Sequence, residues 1–233
     1  MKLFMDESGN GNADQPLIVG AVELSEDADA VEKRIRDLHR ILCAKSSLFG
    51  FESFEKFREN GFHSSTDPRE VSGRFVELIG SLFFRSYMVT TDRTRFPGRA
   101  EPELIELMYV KLLSDLSIKH RREAELLCYV EQSEDMRSII RRLPDGVLKQ
   151  SRKTIGKVTP LPDLNIMMVT KRDYMSTAII DYVMAAVSRW LKAGCNTSPS
   201  NYVYRSFREF EASISILYSL ERGRISSRKD PLH

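Results

Sequence analysis

The residues of this chain that are best suited to chemistry are carboxylates that follow short apolar runs. The run at residues 2–5 ends in Asp6 and Glu7, and the run at 126–130 ends in Glu131. Carboxylate oxygens are ligands that suit a hard divalent cation. Because successive residues of a strand face opposite sides, Asp6 and Glu7 cannot both point into one site. Asp, Ser and Gly are also ordinary turn residues, so this motif alone leaves a plain turn open.

A third carboxylate, Asp181, lies in a segment at 174–193 whose apolar residues have helical spacing. An acid within a largely apolar helix needs a partner, which could be Arg189 or another basic group. If the strands of Asp6 and Glu131 are parallel neighbours, both carboxylates emerge at the sheet edge where α/β proteins bind ligands. Asp181 would then approach from the helix. Such a triad predicts a site for one or two Mg²⁺ or Mn²⁺ ions, which activate water and neutralise charge during phosphodiester cleavage.

Apolar patterns predict the elements that position these acids. We expect one domain over residues 1–233, because a chain of this length can bury a single sizeable core. Two strands paired early, followed by strands alternating with helices, predict an α/β fold with a mixed sheet. The segments at 45–67 and 149–162 are predicted to be loops, the second basic and mobile. Strands are predicted at 2–5, 17–24, 84–91, 126–130 and 164–169, and helices at 27–44, 68–82, 101–119, 136–143, 174–193 and, as a C-terminal extension, about 202–222.

His63 is the histidine with the clearest functional potential, because it lies among Ser64, Ser65 and Thr66 in the first predicted loop. A histidine side chain titrates near neutral pH, so it could shuttle a proton or contact a scissile phosphate. A capping or solvent-exposed loop histidine is an equally good interpretation.

Further residues near the predicted site are secondary candidates. They are Glu7 and Ser8 after the first run, and Glu134 and Asp135 after Glu131. The last two can instead stabilise the first turn of the next helix through its dipole.

The overall charge gives no signal for a polyanionic partner. Lys and Arg total 35 against 33 Asp and Glu, for a net charge of +2, so nucleic acid is neither implied nor excluded. Two local basic clusters could contact a phosphate backbone, although charged loops are more often only solvated. These clusters are Arg93, Arg95 and Arg99, and Lys149, Arg152, Lys153 and Lys157.

Composition is that of a folded soluble protein, with 42% hydrophobic and 29% charged residues. The sequence has neither an apolar run near the roughly 18 residues of a membrane span nor the pattern of a signal peptide, so we expect no membrane partner and a cytoplasmic location. Its three cysteines show no close pairing and fit reduced thiols. No histidine or cysteine spacing resembles a zinc site.

Three short motifs resemble a bacterial family of uncharacterised proteins that opens with Asp-Glu-Ser-Gly and is thought to adopt a ribonuclease H-like fold. They are residues 4–9, Phe62-His63-Ser64, and Asp181-Tyr182 with Ala185. In the wider ribonuclease H-like group, acids on the first strand, at a central strand end and on the last helix bind catalytic metals. The resemblance assigns these roles to Asp6, Glu131 and Asp181.

Two departures from this group stand out. The central acid is often Asp where this chain has Glu131, and the Gln that often precedes the helical Asp is missing before Asp181. Together the residues and the resemblance favour a metal-dependent nuclease acting on RNA or DNA, with the family suggesting a toxin or effector in bacterial defence. The alternative is a ribonuclease H-like protein that binds nucleic acid or a partner protein without catalysis. The sequence does not choose RNA over DNA, nor does it decide self-association.

Overall fold

The computed structural model describes residues 1–25, 27–227 and 229, and its centre is a seven-stranded sheet. The strands are β1 (Lys2–Ser8), β2 (Leu17–Leu24), β3 (Phe84–Thr91), β4 (Glu125–Glu131), β5 (Asp163–Val169), β6 (Ile214–Ser219) and β7 (Gly223–Ser227). The helices are α1 (Ala28–Cys43), α2 (Glu52–Asn60), α3 (Arg69–Gly80), α4 (Glu101–Lys119), α5 (Glu134–Ile139), α6 (Leu143–Ile155), α7 (Thr177–Lys192) and α8 (Tyr202–Glu211). No helix of the described residues is long and apolar enough to cross a membrane.

The strand order is β5-β4-β1-β2-β3-β6-β7, with parallel and antiparallel neighbours. β1 is parallel to β4, β4 to β5, and β3 to β6, whereas β2 is antiparallel to both β1 and β3. As a result, β1, β3, β4, β5 and β6 all end at the same side of the sheet, which we call the carboxyl edge. The α/β architecture that we expected, a mixed central sheet flanked by helices, is confirmed.

Each face of the sheet is covered by its own hydrophobic core. One core joins the sheet to α4, α5 and α6, and it includes Leu3 and Met5 of β1. The other joins the sheet to α1, α2, α3, α7 and α8, with Trp190 of α7 stacked on Phe207 of α8. Since strand residues alternate between faces, Glu7 lies on the α4 side and Asp6 on the α7 side.

A glycine in β2 lets α7 approach the sheet closely. Gly20 pairs with Asp6 across the β1–β2 ladder. A Cβ atom at Gly20 would lie 2.7 Å from Cγ1 and Cδ1 of Ile180 and 2.9 Å from the sulfur of Met184. Because Ile180 precedes Asp181, this close packing brings the helical carboxylate to the end of β1.

The loop prediction for 45–67 is wrong for much of the segment. It contains α2, whose Phe54 and Phe57 are fully buried, and Phe62 stacks on Phe75 with ring centroids 4.0 Å apart. In the sequence, Gly50 and Gly61 interrupt the spacing of the aromatic residues, which favours a loop. The structure places the glycines at the two ends of the helical segment, where both have positive φ.

The loop prediction for 149–162 is also wrong in its first half, because α6 continues to Ile155. Pro144 lies in the first turn of this helix, where proline is well tolerated. Gly146 packs against Val110 of α4. The Pro-Asp-Gly sequence therefore starts a helix here instead of forming a turn.

The predicted C-terminal helix is shorter than expected. α8 begins after Asn201, whose side chain accepts hydrogen bonds from the backbone N–H groups of Val203 and Tyr204, and it ends at Glu211. Residues 214–219 and 223–227 form β6 and β7, which extend the sheet beyond β3. Pairing with β3 decides the structure of this segment, and such pairing is not visible in a local pattern.

We expect Gly20→Val to lower the free energy of unfolding by about 2–3 kcal/mol, because the added side chain overlaps Ile180 and Met184 in a closely packed core. Urea unfolding of the purified variant measures this change.

Gly73→Ala is the matched control. Gly73 is exposed within α3 and has no atom near its would-be Cβ, so alanine should stabilise the protein by about 0.5–1 kcal/mol. Equal stability of Gly20→Val and the wild type would contradict the close-approach argument.

Candidate acidic site at the carboxyl edge

Three acids predicted as metal ligands lie together at the carboxyl edge. Met5 of β1 pairs with Val130 of β4, so Asp6 and Glu131 follow at the ends of neighbouring parallel strands. Asp181 reaches them from the first turns of α7. All three line an open cleft of about 600 Å³. The cleft is also lined by Glu7, Ser8, His63, Ser64, Arg189 and Lys192.

A buried lysine that sequence reasoning missed lies among these acids. Lys171 follows β5, and its Nζ atom lies 2.9 Å from Oδ2 of Asp181 and 3.1 Å from Oε2 of Glu131. Its side chain is only 6% exposed. Glu131 pairs with Val169 of β5, so a strand end at this edge was the available signal. Because lysine is almost always exposed, a lysine after a strand does not by itself indicate a buried site.

Burial and mutual repulsion dominate the electrostatics of the cluster. Burial raises the pKa of Asp6 well above its ordinary value, and the charge of Glu131 raises it further while Lys171 opposes both. Burial also disfavours the charged form of Asp181, but Lys171, His63 and Ser64 outweigh it and lower the pKa of Asp181. The acids hold the pKa of Lys171 above its ordinary value despite burial, so this side chain is a permanent cation.

The loop before α3 fixes the orientation of Asp181. Ser64 donates its backbone N–H to Oδ2 at 3.0 Å and its hydroxyl to Oδ1 at 2.6 Å. Nδ1 of His63 lies 3.6 Å from Oδ2 of Asp181 and 3.1 Å from the hydroxyl of Ser65. The His63 side chain is 43% exposed. His63 therefore lies beside the acids and open to the cleft.

Asp67 supports this loop from behind. Its Oδ2 atom accepts hydrogen bonds from the backbone N–H of His63 at 2.9 Å and from the Tyr182 hydroxyl at 2.6 Å. Its Oδ1 atom is buried with no hydrogen-bond partner among the described residues. Burial raises the pKa of Asp67 to about 6, against the effect of these two hydrogen bonds.

Glu7 lines the same cleft from the opposite face of the sheet. Oε2 accepts a hydrogen bond from the Tyr109 hydroxyl of α4 at 2.9 Å, while Oε1 is buried and has no hydrogen-bond partner in the described part of the chain. Burial raises the pKa of Glu7. The alternation predicted for Asp6 and Glu7 is present, yet both reach the cleft because it lies at the strand end.

The turn that carries Lys171 is anchored by an ion pair from α1. Buried Glu32 accepts hydrogen bonds from the backbone N–H groups of Met175 and Ser176 at 2.9 and 2.8 Å, and Nε of Arg36 lies 2.7 Å from it. Arg36 also donates to the carbonyls of residues 172 and 173. Sequence reasoning assigned no role to this pair, because its partners lie more than 130 residues away.

Two of the secondary candidates, Glu134 and Asp135, lie outside the cleft lining. Glu134 is exposed and pairs with Arg137 at 3.2 Å, and Asp135 accepts a hydrogen bond from Asn10 at 3.3 Å. Both occupy the first turn of α5, which Ser133 caps. Their position fits the helix-dipole interpretation.

Two of the basic candidates form local hydrogen bonds, and their contact with a phosphate backbone stays a prediction. Arg93 donates to the carbonyls of Gln15 and Gly9 and to Glu101 at 2.6–2.8 Å, and so holds the β1–β2 connection against α4. Arg152 donates to the carbonyl of Thr159 and, more weakly, to that of Gly156, beyond the end of α6. These guanidinium groups are already used by local acceptors.

The other basic candidates are exposed, but none lines the cleft that the described residues form. They are Arg95, Arg99, Lys149, Lys153 and Lys157. The cations on the cleft wall come from α7 instead and are Arg189 and Lys192. Arg189 donates to the carbonyl of Ala185, so the partner of Asp181 is Lys171 and not Arg189.

The donor set fits a hard divalent cation in its chemistry. It consists of carboxylate oxygens, and Oε1 of Glu7 is buried without a hydrogen bond from the described residues. Oε2 of Glu131 also accepts no hydrogen bond from them, but it lies 3.1 Å from Nζ of Lys171. Within the described ranges, no group of three His, Cys, Asp or Glu side chains is already assembled at metal-binding distances. Lys171 occupies a cation position between two of the carboxylates.

No family model and no curated protein matches the chain. Among solved structures, it is similar to a chain of the PCNA:RNase HII complex from Archaeoglobus fulgidus. The two are 17% identical, the match covers 91% of this chain and 89% of the other, and the TM-score is 0.47. The function of the cleft has to be argued from its own residues.

We expect Asp67→Asn to remove part of the pH dependence of folding. An acid whose pKa is higher in the folded state binds more protons there between about pH 4 and 6, so the free energy of unfolding falls as the pH rises through this window. Relative to the variant, the wild type should lose about 1–3 kcal/mol between pH 4 and 7.

Urea unfolding of both proteins at fixed ionic strength and at several pH values measures this difference. Parallel stability profiles would show that Asp67 titrates normally.

Proposed function

We propose that the chain is a divalent-metal-dependent nuclease that hydrolyses phosphodiester bonds in RNA or DNA. The observation that carries this proposal is the convergence of Asp6, Glu131 and Asp181, from two parallel strands and a helix, at an open cleft. Asp6 and Asp181 are 8% and 7% exposed. Burying acids side by side is costly unless a cation compensates them.

The three carboxylates would hold Mg²⁺ or Mn²⁺. When bound, such an ion activates water and neutralises charge on the phosphate oxygens. Ser64 presets the plane of the Asp181 carboxylate by donating to both of its oxygens, so little reorganisation is needed there. His63, partly exposed beside Asp181, can carry a proton between the reacting oxygens and solvent.

The shape and charge of the cleft support a polynucleotide substrate. The cleft is open to solvent on one side, and Arg189 and Lys192 lie on its wall. Cations at this position can bind the phosphates that flank the cleaved bond. A role as a toxin or effector in bacterial defence is the part of the proposal that rests only on the Asp-Glu-Ser-Gly resemblance.

One observation favours a second function, the binding of nucleic acid without hydrolysis. Lys171 already neutralises part of the charge of Glu131 and Asp181. In a non-catalytic protein, this ion-pair cluster would serve stability and the wall of Arg189 and Lys192 would bind phosphates.

We expect cleavage of labelled single- or double-stranded RNA or DNA in Mg²⁺ or Mn²⁺ and none in EDTA. Asp6→Asn and Asp181→Asn should lower the rate at least about 100-fold, because each loses a ligand that stabilises the transition-state charge. Gel analysis of the time course gives the rates. Asp145→Asn, which changes an exposed acid of α6, should cleave like the wild type.

The same substrates separate the two functions. Binding without cleavage, weakened by Arg189→Gln and Lys192→Gln but not by Asp6→Asn, would support the non-catalytic function. Neither binding nor cleavage of any nucleic acid would refute both.

A further inference from the structure

Among the described residues, Lys171 is the only cation that lies at ion-pair distance from both Glu131 and Asp181. The side chain of Lys171 is only 6% exposed to solvent. Lysine is almost never buried to this degree unless it is paired. The acids are therefore what keeps this side chain inside.

The single positive charge of Lys171 does not balance the negative charges of the three acids. Asp6, Glu131 and Asp181 carry three formal charges when ionised, and Lys171 supplies one positive charge. Asp6 has electrostatic contact with Lys171 but accepts its one described hydrogen bond from the backbone N–H of Glu7, at 2.8 Å. The ammonium group thus reduces the repulsion within the cluster without removing it.

Local hydrogen bonds fix the backbone around Lys171, whereas its ammonium group is held by the ion pairs with Glu131 and Asp181. Thr170 and Asp173 close the turn through hydrogen bonds of 2.8 and 2.9 Å from the Thr170 hydroxyl and N–H to the Asp173 carboxylate. Arg36 holds the carbonyls of residues 172 and 173. The flexible four-carbon stem can move the charge without moving this turn.

We propose that Lys171 is an internal counter-ion that holds the acidic site together until a divalent cation displaces its ammonium group from Glu131 and Asp181. This inference rests on the proposed function in one respect, namely that these acids bind a divalent cation. Oδ2 of Asp181 and Oε2 of Glu131 are oxygens that such a cation needs, and both face Lys171 at 2.9 and 3.1 Å. A divalent cation at that place and the ammonium group repel each other strongly, so one must leave.

The test compares metal binding by the wild type and by Lys171→Met, whose unbranched side chain is one atom shorter and carries no charge. Calorimetric titration of the full chain with Mn²⁺ or Mg²⁺ alone, without nucleic acid, gives the affinities. We expect Lys171→Met to bind at least about 10-fold more tightly, because the competing charge is gone. Its melting temperature should be several degrees below that of the wild type without metal and should recover with Mn²⁺.

Two controls separate charge from packing. Lys171→Arg keeps the positive charge and should bind metal about as weakly as the wild type. Lys153→Met removes an exposed charge from α6 and should change neither quantity.

A measurement on the wild type tests displacement even if Lys171→Met does not fold. Reductive methylation followed by mass spectrometry reports the accessibility of each lysine. Lys171 should be protected without metal and modified several-fold faster with saturating Mn²⁺, whereas Lys153 should react equally fast in both. Unchanged protection of Lys171 in the metal-bound protein would overturn the proposal.

The outcomes distinguish this inference from the proposed function. Tighter metal binding by Lys171→Met without nucleic-acid cleavage by either protein would support the counter-ion role and refute hydrolysis. Metal-dependent cleavage by the wild type, with equal or weaker metal binding by Lys171→Met, would refute the counter-ion role and leave hydrolysis standing. Absence of metal binding by both proteins would overturn both.

Discussion

The constraint on which the site depends is the burial of several acids against one ammonium group. A buried acid at the opposite end of the sheet, Glu23, has a different set of partners. There, Glu23 accepts hydrogen bonds from Tyr87 at 2.5 Å and Lys119 at 2.6 Å, with His120 3.3 Å away. Although burial opposes ionisation, these three groups together hold the pKa of Glu23 well below its ordinary value. At the carboxyl edge, burial and the charge of Glu131 raise the pKa of Asp6 instead, so the charged form of Asp6 has no comparable set of stabilising partners among the described residues.

Uncompensated charge can be retained only if the surrounding structure holds the acids in place. The β1–β4 register sets two of them side by side, and Gly20 lets α7 approach until Asp181 joins them. Glu32 and Arg36 then fix the turn of Lys171 and the start of α7. The packing of the two cores thus offsets the free-energy cost of burying acids at the edge.

The elements with strong periodicity were predictable, and the bounds of Phe84–Thr91 and Glu101–Lys119 are those expected. The grouping of three acids was also predictable, because the rule for strand ends in parallel sheets is topological. Lys171 was not predictable, since its burial depends on contacts that exist only after α7 and the Ser64 loop have closed over it. The strand at Ile214–Ser219 likewise depends on pairing with β3.

The cations on the cleft wall are spaced along a helix and are not clustered in the sequence. The basic residues that are close in sequence lie outside the cleft lining, and two of them, Arg93 and Arg152, donate to local acceptors. On α7, the residues that line the cleft are Asp181, Ala185, Ser188, Arg189 and Lys192. Asp181 and Lys192 are separated by about 16 Å along the helix axis at 1.5 Å per residue. Under the proposed function, the small side chains of Ala185 and Ser188 would leave room for a nucleic-acid strand whose flanking phosphates reach Arg189 and Lys192, so this helix face would join the acidic and the basic parts of the site.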